Sequence, residues 1–195
     1  MTIQLPKRNF NGYIFDCDGT LADSMPVHLL AWNQALAKSG KFFPKELFYH
    51  WGGRTTTHVV ECLNDKFGWN LNVSATAKEK ESRYLELVVQ VQPIAVAVEL
   101  VHALHGTAPL AIASGGSRKM IMATLETLGL VQFFDTIVCA EDYQHGKPAP
   151  DPFLEAARRM GVPPEDCLVF EDSPTGVAAA KAAGMDFVII PTEKN

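Results

Sequence analysis

Tyr13-Ile14-Phe15-Asp16-Cys17-Asp18-Gly19-Thr20 runs three apolar residues into two carboxylates that flank a cysteine and are followed by a glycine. The apolar triplet reads as a short buried strand and the glycine as the turn that ends it. Two ionised carboxylates ~4 Å apart at an effective dielectric near 20 repel by about 4 kcal/mol, so this turn calls for a cation. Cys17, between them, is expected on the opposite side of the strand as a buried thiol and not as a nucleophile.

Short apolar strands of the same kind recur downstream at Pro109 to Ala113, Thr136 to Ala140, Cys167 to Phe170 and Phe187 to Ile190. Helical periodicity separates them: Ile121, Leu125 and Leu128 share a face ended by Gly129; Asp151 and Pro152 open a segment that stops at Gly161; Ser173-Pro174 starts another that stops at Gly184. Alternating strand and helix predicts an α/β fold, a doubly wound, mostly parallel sheet. Between Ala22 and Gln92 no alternating segment occurs. Helical patterns run from a Ser24 cap with Pro26 to Gly40, over Thr57 to Phe67 and over Thr76 to Val91, so residues 22–92 are expected to form an all-helical insert on a core of residues 1–21 and 93–195. Its two connections, near Ala22 and Gln92, form a hinge above the strand ends.

Ligands of an open parallel sheet bind beyond the carboxyl ends of its strands. Asp16 and Asp18 follow the first strand, Ser114 and Gly115 the second, Lys147 the third, Glu171 and Asp172 the fourth. Carboxylates with a lysine and a serine, and no histidine or cysteine cluster, specify a hard cation, so magnesium (Mg2+) is expected. Ser114 and the Gly115 amide, at a helix N-terminus, suit an anionic phosphoryl group.

The 195 residues carry 17 basic and 22 acidic side chains, a net charge of −5, which argues against nucleic-acid and membrane-surface partners. The four cysteines form no C-x-x-C pair. They read as reduced thiols, and with neither a leader pattern in Met1 to Gly12 nor an uninterrupted apolar run, a cytoplasmic protein is expected. A monomer is compatible with the sequence, which does not fix the oligomeric state.

Asp16-x-Asp18-Gly19-Thr20, Ser114, Lys147 in Gly-Lys-Pro-Ala-Pro-Asp, and Glu171-Asp172-Ser173 resemble, in order, the four motifs of the haloacid dehalogenase superfamily, in particular its helical-cap branch of sugar-phosphate phosphatases and beta-phosphoglucomutases. The resemblance implies that Asp16 attacks phosphorus and Asp18 serves as acid and base. It further implies that magnesium is held by the Asp16 carboxylate, the Asp18 backbone carbonyl and Asp172, with Glu171 acting through a water. Lys147 would offset charge on Asp16 and the transferring phosphoryl group, Ser114 and Gly115 would hold its oxygens, and the Thr20 hydroxyl would fix the turn. In the cap, it places His28 near the catalytic acid, aligns Lys80 with a mutase lysine by its spacing from Tyr84, and puts Arg54, in Gly52-Gly53-Arg54-Thr55, in the specificity loop. Trp51 and Trp69 are either pocket lining or cap packing. His50, His58, His102, His105 and His145 are expected outside the site.

The expected activity is hydrolysis of a small phosphorylated metabolite, a sugar phosphate above all. The first alternative is a mutase. Against it, a threonine, Thr55 or Thr56, stands where the mutase's phosphate-binding arginine aligns. The second alternative is a non-enzymatic phosphoacceptor domain, which needs neither a cap nor a second aspartate.

Overall fold

A computed structural model describes residues 3–191. Five parallel strands, β1 (Gly12–Phe15), β4 (Leu110–Ala113), β5 (Thr136–Val138), β6 (Cys167–Glu171) and β7 (Asp186–Ile189), form one sheet in the order β5-β4-β1-β6-β7. β1 lies at its centre, with Phe15 paired to Ile112 on one side and Phe170 on the other. Helices cover both faces, which is why these strands are continuously apolar rather than alternating. On one face Phe15, Ile112 and Phe170 pack with Val101 of α5 (Ala95–Leu104) and Ile121 and Leu125 of α6 (Arg118–Leu128). On the other, Ile14, Ala111 and Val169 pack with Phe153 and Ala157 of α7 (Asp151–Met160) and Ala179 and Ala180 of α8 (Pro174–Ala182). Cys17 is buried in the first of these cores, as expected from its place between two aspartates.

The insert contains α1 (Met25–Ala37), α2 (Lys45–His50), α3 (Thr56–Phe67) and α4 (Val73–Leu87). Trp32, Leu36, Phe43, Phe48, Val60 and Leu63 make its own core, with Trp32 and Phe43 edge-to-face at 5.7 Å. A separate cluster, including Val27, Tyr84 and Val88, packs against Met120 of α6 and so seats α4 on the sheet domain. The two connections pair as a ribbon, β2 (Ala22–Asp23) antiparallel to β3 (Gln92–Pro93).

Four local expectations differ from what is observed. α2 was not foreseen, because six residues are too few to display a period. α4 begins at Val73, where the Asn72 side chain accepts from the Ala75 amide, and ends at Leu87 in a short 3-10 turn. Asp151 lies inside α7 instead of capping it, and its carboxylate accepts from the backbone and ring nitrogens of His145. Ser24 precedes α1 but makes no capping bond, since its hydroxyl is used elsewhere. Among the described residues no helix is long and apolar enough to cross a membrane.

Candidate active site

The ladder of β1 continues one step past Phe15, with the Asp16 amide donating to the Phe170 carbonyl at 3.0 Å. The chain then turns, the Cys17 carbonyl accepting from the amides of Thr20, Leu21 and Ala22. Gly19 at the bend has φ +93°, and a Cβ there would lie 2.7 Å from an Asp172 oxygen. Glycine is needed twice over, for the backbone and for the room Asp172 occupies. Backbone bonds close this turn, so the Thr20 hydroxyl is not its fastener. It donates instead to Asp172 at 3.3 Å.

Lys147, in the loop after β5, is buried, and its ammonium donates to Asp16 at 2.6 Å and Glu171 at 2.9 Å. Burial alone would lower its pKa, but the two carboxylates outweigh it and push it up. Asp16 is raised well above the usual carboxylate range, first by burial and then by Glu171 and Asp172, against the opposing pull of Lys147. The charges that crowd Asp16 most are thus Glu171 and Asp172, at the end of β6. Asp16, Glu171 and Asp172 each offer an oxygen within 4.8 Å of the others. Three carboxylates with one ammonium leave negative charge in a buried place, and an all-oxygen donor set fits a hard divalent cation. Glu171 has both oxygens engaged, Oε1 by Lys147 and Oε2 by the Ser173 amide at 2.6 Å.

Asp18 faces a different set of groups. Its Oδ1 accepts from the Ser24 hydroxyl at 2.6 Å and lies 3.0 Å from His28 Nε2, while His28 Nδ1 lies 2.9 Å from Lys80 Nζ. An ammonium only donates, so Nδ1 accepts and Nε2 carries the hydrogen directed at Asp18. Burial and the Lys80 charge lower the His28 pKa, in keeping with a neutral ring. Burial would raise Asp18, but His28, Ser24 and the Lys80 charge overcome it and hold its pKa at about 2. Lys80 itself is lowered to about 8 by burial.

Ser114 Oγ accepts from the Gly116 amide at 3.1 Å, which leaves its hydroxyl hydrogen free to turn toward a ligand. The Ser114 carbonyl accepts from the Tyr143 hydroxyl at 3.0 Å. α6 starts three residues beyond Gly115, and its Arg118 amide is already taken by both oxygens of Glu141 at 3.0 Å. The helix terminus expected to serve Gly115 is thus capped by a side chain. Gly115 has another constraint: a Cβ on it would stand 2.6 Å from the Gly53 carbonyl, so the insert's loop rests directly on this strand end.

These groups floor a cavity of about 880 Å3, counted to its open mouth, whose walls are supplied by Trp32, Phe43, Phe48, Tyr49 and Trp51. Arg54 borders it, with a guanidinium nitrogen 3.1 Å from Cys62 Sγ and its plane 5.5 Å from the Trp51 ring.

A model of the haloacid dehalogenase-like hydrolases matches residues 10–184, a span containing every strand-end residue above. The chain belongs to that family. The fructose-1-phosphate phosphatase YqaB of Escherichia coli (strain K12) is similar to this hydrolase, at 37% identity over 180 residues, 92% of this chain and 95% of that protein. CbbY from Rhodobacter sphaeroides, solved with phosphate, shares the fold at TM-score 0.85 and 24% identity, covering 94% of this chain and 87% of that one. Beta-phosphoglucomutase from Clostridium difficile does so at 0.82 and 24%, covering 95% and 86%.

In this hydrolase the fold brings together Asp16, Asp18, Ser114, Gly115, Lys147, Glu171 and Asp172 from the sheet domain with His28, Arg54 and Lys80 from the insert, all but Lys147 directly at the cavity. Lys147 touches it through Asp16 and Glu171. Lys80 lines the wall, but its ammonium is directed at His28. Of the two tryptophans, Trp51 lines the cavity and Trp69 stacks on Phe67. The other five histidines do not border the cavity. Ser24 and Gly176 escaped sequence reasoning. Ser24 reads as a cap, and Gly176 is one small residue within the helix that starts at Ser173-Pro174, yet a Cβ on it would fall 1.7 Å from Glu171 Oε1. Its signal was a glycine inside an otherwise alanine-rich helix.

Proposed function

We propose that the protein is a magnesium-dependent phosphatase that cleaves a small sugar phosphate through an aspartyl-phosphate on Asp16. The observation that carries this reading is the division between two carboxylates two residues apart. Asp16 is set against Lys147 and two further carboxylates, Asp18 against Ser24 and His28. Unlike surroundings for a close pair of acids are the mark of unlike tasks.

Asp16, Asp172 and the backbone carbonyl of Asp18 would hold the metal, with Glu171 behind them keeping Lys147 in place. Magnesium, when bound, keeps Asp16 ionised and offsets charge on the phosphoryl oxygens. Lys147 faces Asp16 Oδ1 and adds a fixed positive charge beside the transferring group. The Ser114 hydroxyl and Gly115 amide orient the phosphoryl oxygens. Asp16 then attacks phosphorus in line, and Asp18 protonates the leaving oxygen. With a pKa of about 2 Asp18 rests as a carboxylate, the form that takes a proton from water in the second step. A phosphoryl dianion placed against it raises its proton affinity, so Asp18 takes up a proton from solvent as substrate binds, gives it to the leaving oxygen, and returns to solvent the proton it takes from water in the second step once phosphate departs.

We further propose that residues 22–92 move as a cap on the ribbon of β2 and β3, and that Arg54 and the aromatic wall choose the sugar. The likeness to a fructose-1-phosphate phosphatase and the free cysteines support a cytosolic enzyme of sugar metabolism. Testing it requires phosphate release from hexose, pentose and polyol phosphates with magnesium, beside a coupled assay for beta-glucose 1-phosphate isomerisation. Release without isomerisation is expected. Isomerisation without release would make the protein a mutase, and a stable phosphoprotein without turnover would make it a phosphoacceptor.

A further inference from the structure

We propose that Thr124, on α6 one turn beyond the cavity-lining Met120, is a positioning residue for Asp18, acting through Tyr84 and His28. The inference rests on the phosphatase reading above.

Thr124 and Tyr84 are both fully buried, and their hydroxyls lie 2.7 Å apart. The direction of that bond is settled by its neighbours. Thr124 Oγ1 donates to the Met120 carbonyl one turn back in α6 at 3.0 Å, which leaves it a lone pair to accept with. Burial and the charge of Asp18 push the Tyr84 phenol up, so Tyr84 keeps its proton, and with the Thr124 hydrogen spent on Met120 and that of the neighbouring Ser24 spent on Asp18, the phenol is the only donor left for this bond. The bond crosses from α4 of the insert to α6 of the sheet domain, inside the apolar seam of Val27, Ala31, Val88 and Met120. A donor buried there has no water to fall back on, so the bond fixes where the Tyr84 ring lies.

That ring in turn fixes another. Tyr84 and His28 are stacked with centroids 4.0 Å apart and planes 8° from parallel, and the Nε2 edge of His28 is the one aimed at Asp18. Lys80 secures His28 from its Nδ1 edge and cannot by itself set the tilt of the ring. Tyr84 supplies the tilt, and Thr124 supplies the anchor of Tyr84. Because the anchor belongs to the sheet domain, His28 meets Asp18 in register only when α4 is seated on α6.

The test compares kcat/KM for an alkyl phosphate and for p-nitrophenyl phosphate. Phosphoryl transfer to Asp16 needs a proton from Asp18 for the alkyl leaving group, whereas p-nitrophenolate departs unaided, and kcat/KM stops at that first transfer. Thr124→Val should lower the alkyl-to-aryl ratio about tenfold, a fraction of a full general-acid contribution. Tyr84→Phe, which keeps the stacked ring and loses the hydroxyl, should lower it at least as far, since it also gives up the contact with Ser24. The double variant should fall no further, and Thr124→Ser should restore the ratio. Should Thr124→Val fail to fold, Tyr84→Phe carries the comparison alone. A uniform fall for both esters, or an unchanged ratio, overturns the inference and leaves the phosphatase reading standing. Wild-type protein that releases phosphate from neither ester overturns both.

Discussion

Gly176→Ala is expected to destabilise the protein, against the ordinary sign of that substitution. Gly176 lies in the first turns of α8, where exchanging glycine for alanine normally gains up to about 1 kcal/mol of helix stability. Here the new methyl would stand 1.7 Å from Glu171 Oε1 and 2.0 Å from its Cδ, so the carboxylate has to leave. Glu171 is 1% exposed, and its departure breaks the bonds to Lys147 at 2.9 Å and to the Ser173 amide at 2.6 Å. Charge-assisted hydrogen bonds contribute about 1.5–3 kcal/mol each, so two outweigh the helix gain and leave a net loss of about 2–5 kcal/mol. For a chain of this size that lowers Tm by roughly 4–20 °C. Thermal unfolding in chelator reads it without contribution from a metal. The control is Glu171→Ala: with the carboxylate gone, adding Gly176→Ala should raise Tm. A stabilising Gly176→Ala in the wild-type background, or a destabilisation that persists beside Glu171→Ala, would refute the reasoning.

Gly115→Ala would set a methyl 2.6 Å from the Gly53 carbonyl, preventing the insert's loop from resting on the strand end. KM should rise about tenfold, a loss of ~1.4 kcal/mol of substrate binding, with Tm little changed. Saturating magnesium at 100 times its Kd should stabilise the folded protein by about 2.7 kcal/mol, and chelator should abolish the gain, because Asp16, Glu171 and Asp172 crowd one another. The same thermal scan with and without metal checks it, and coincident curves would count against a metal held at Asp16 and Asp172. Lys80, lowered from 10.5 to about 8, releases its proton in the folded state before the unfolded one, so its contribution to stability grows as pH rises between those values. Activity should fall above about pH 8, as Lys80 ceases to be an ammonium donor to His28, and a pH profile of Lys80→Met should lack that alkaline limb.

The sheet and its acidic edge were readable because both signals are local. Ile14-Phe15, Leu110 to Ala113 and Cys167 to Phe170 are apolar through their length since both sheet faces are covered, and each is followed at once by its polar residue. The separation of Asp16 from Asp18 was foreseen only as a difference in metal contact. Its physical source is Ser24 and His28, which reach Asp18 across the hinge. Ser24 shows why such detail stays hidden: a serine before a helix has a good local use as a cap, and the Asp18 carboxylate, six residues back on the far side of the turn, displaced it. Thr20 was likewise assigned to its own turn, which the backbone closes alone, freeing its hydroxyl for Asp172. Arg54 was expected in the specificity loop and borders the cavity, but its contacts with Cys62 and Trp51 depend on how α3 packs, and no spacing within the loop encodes that.

Rapid acid quench of the enzyme turning over a radiolabelled phosphate monoester with magnesium tests the central assignment most directly. The label should appear on the peptide that carries Asp16, as a hydroxylamine-labile acyl phosphate formed no more slowly than free phosphate, and Asp16→Asn should fold normally and bind no label. Free phosphate released at full rate with no labelled peptide, or a label on any other residue, would contradict the account.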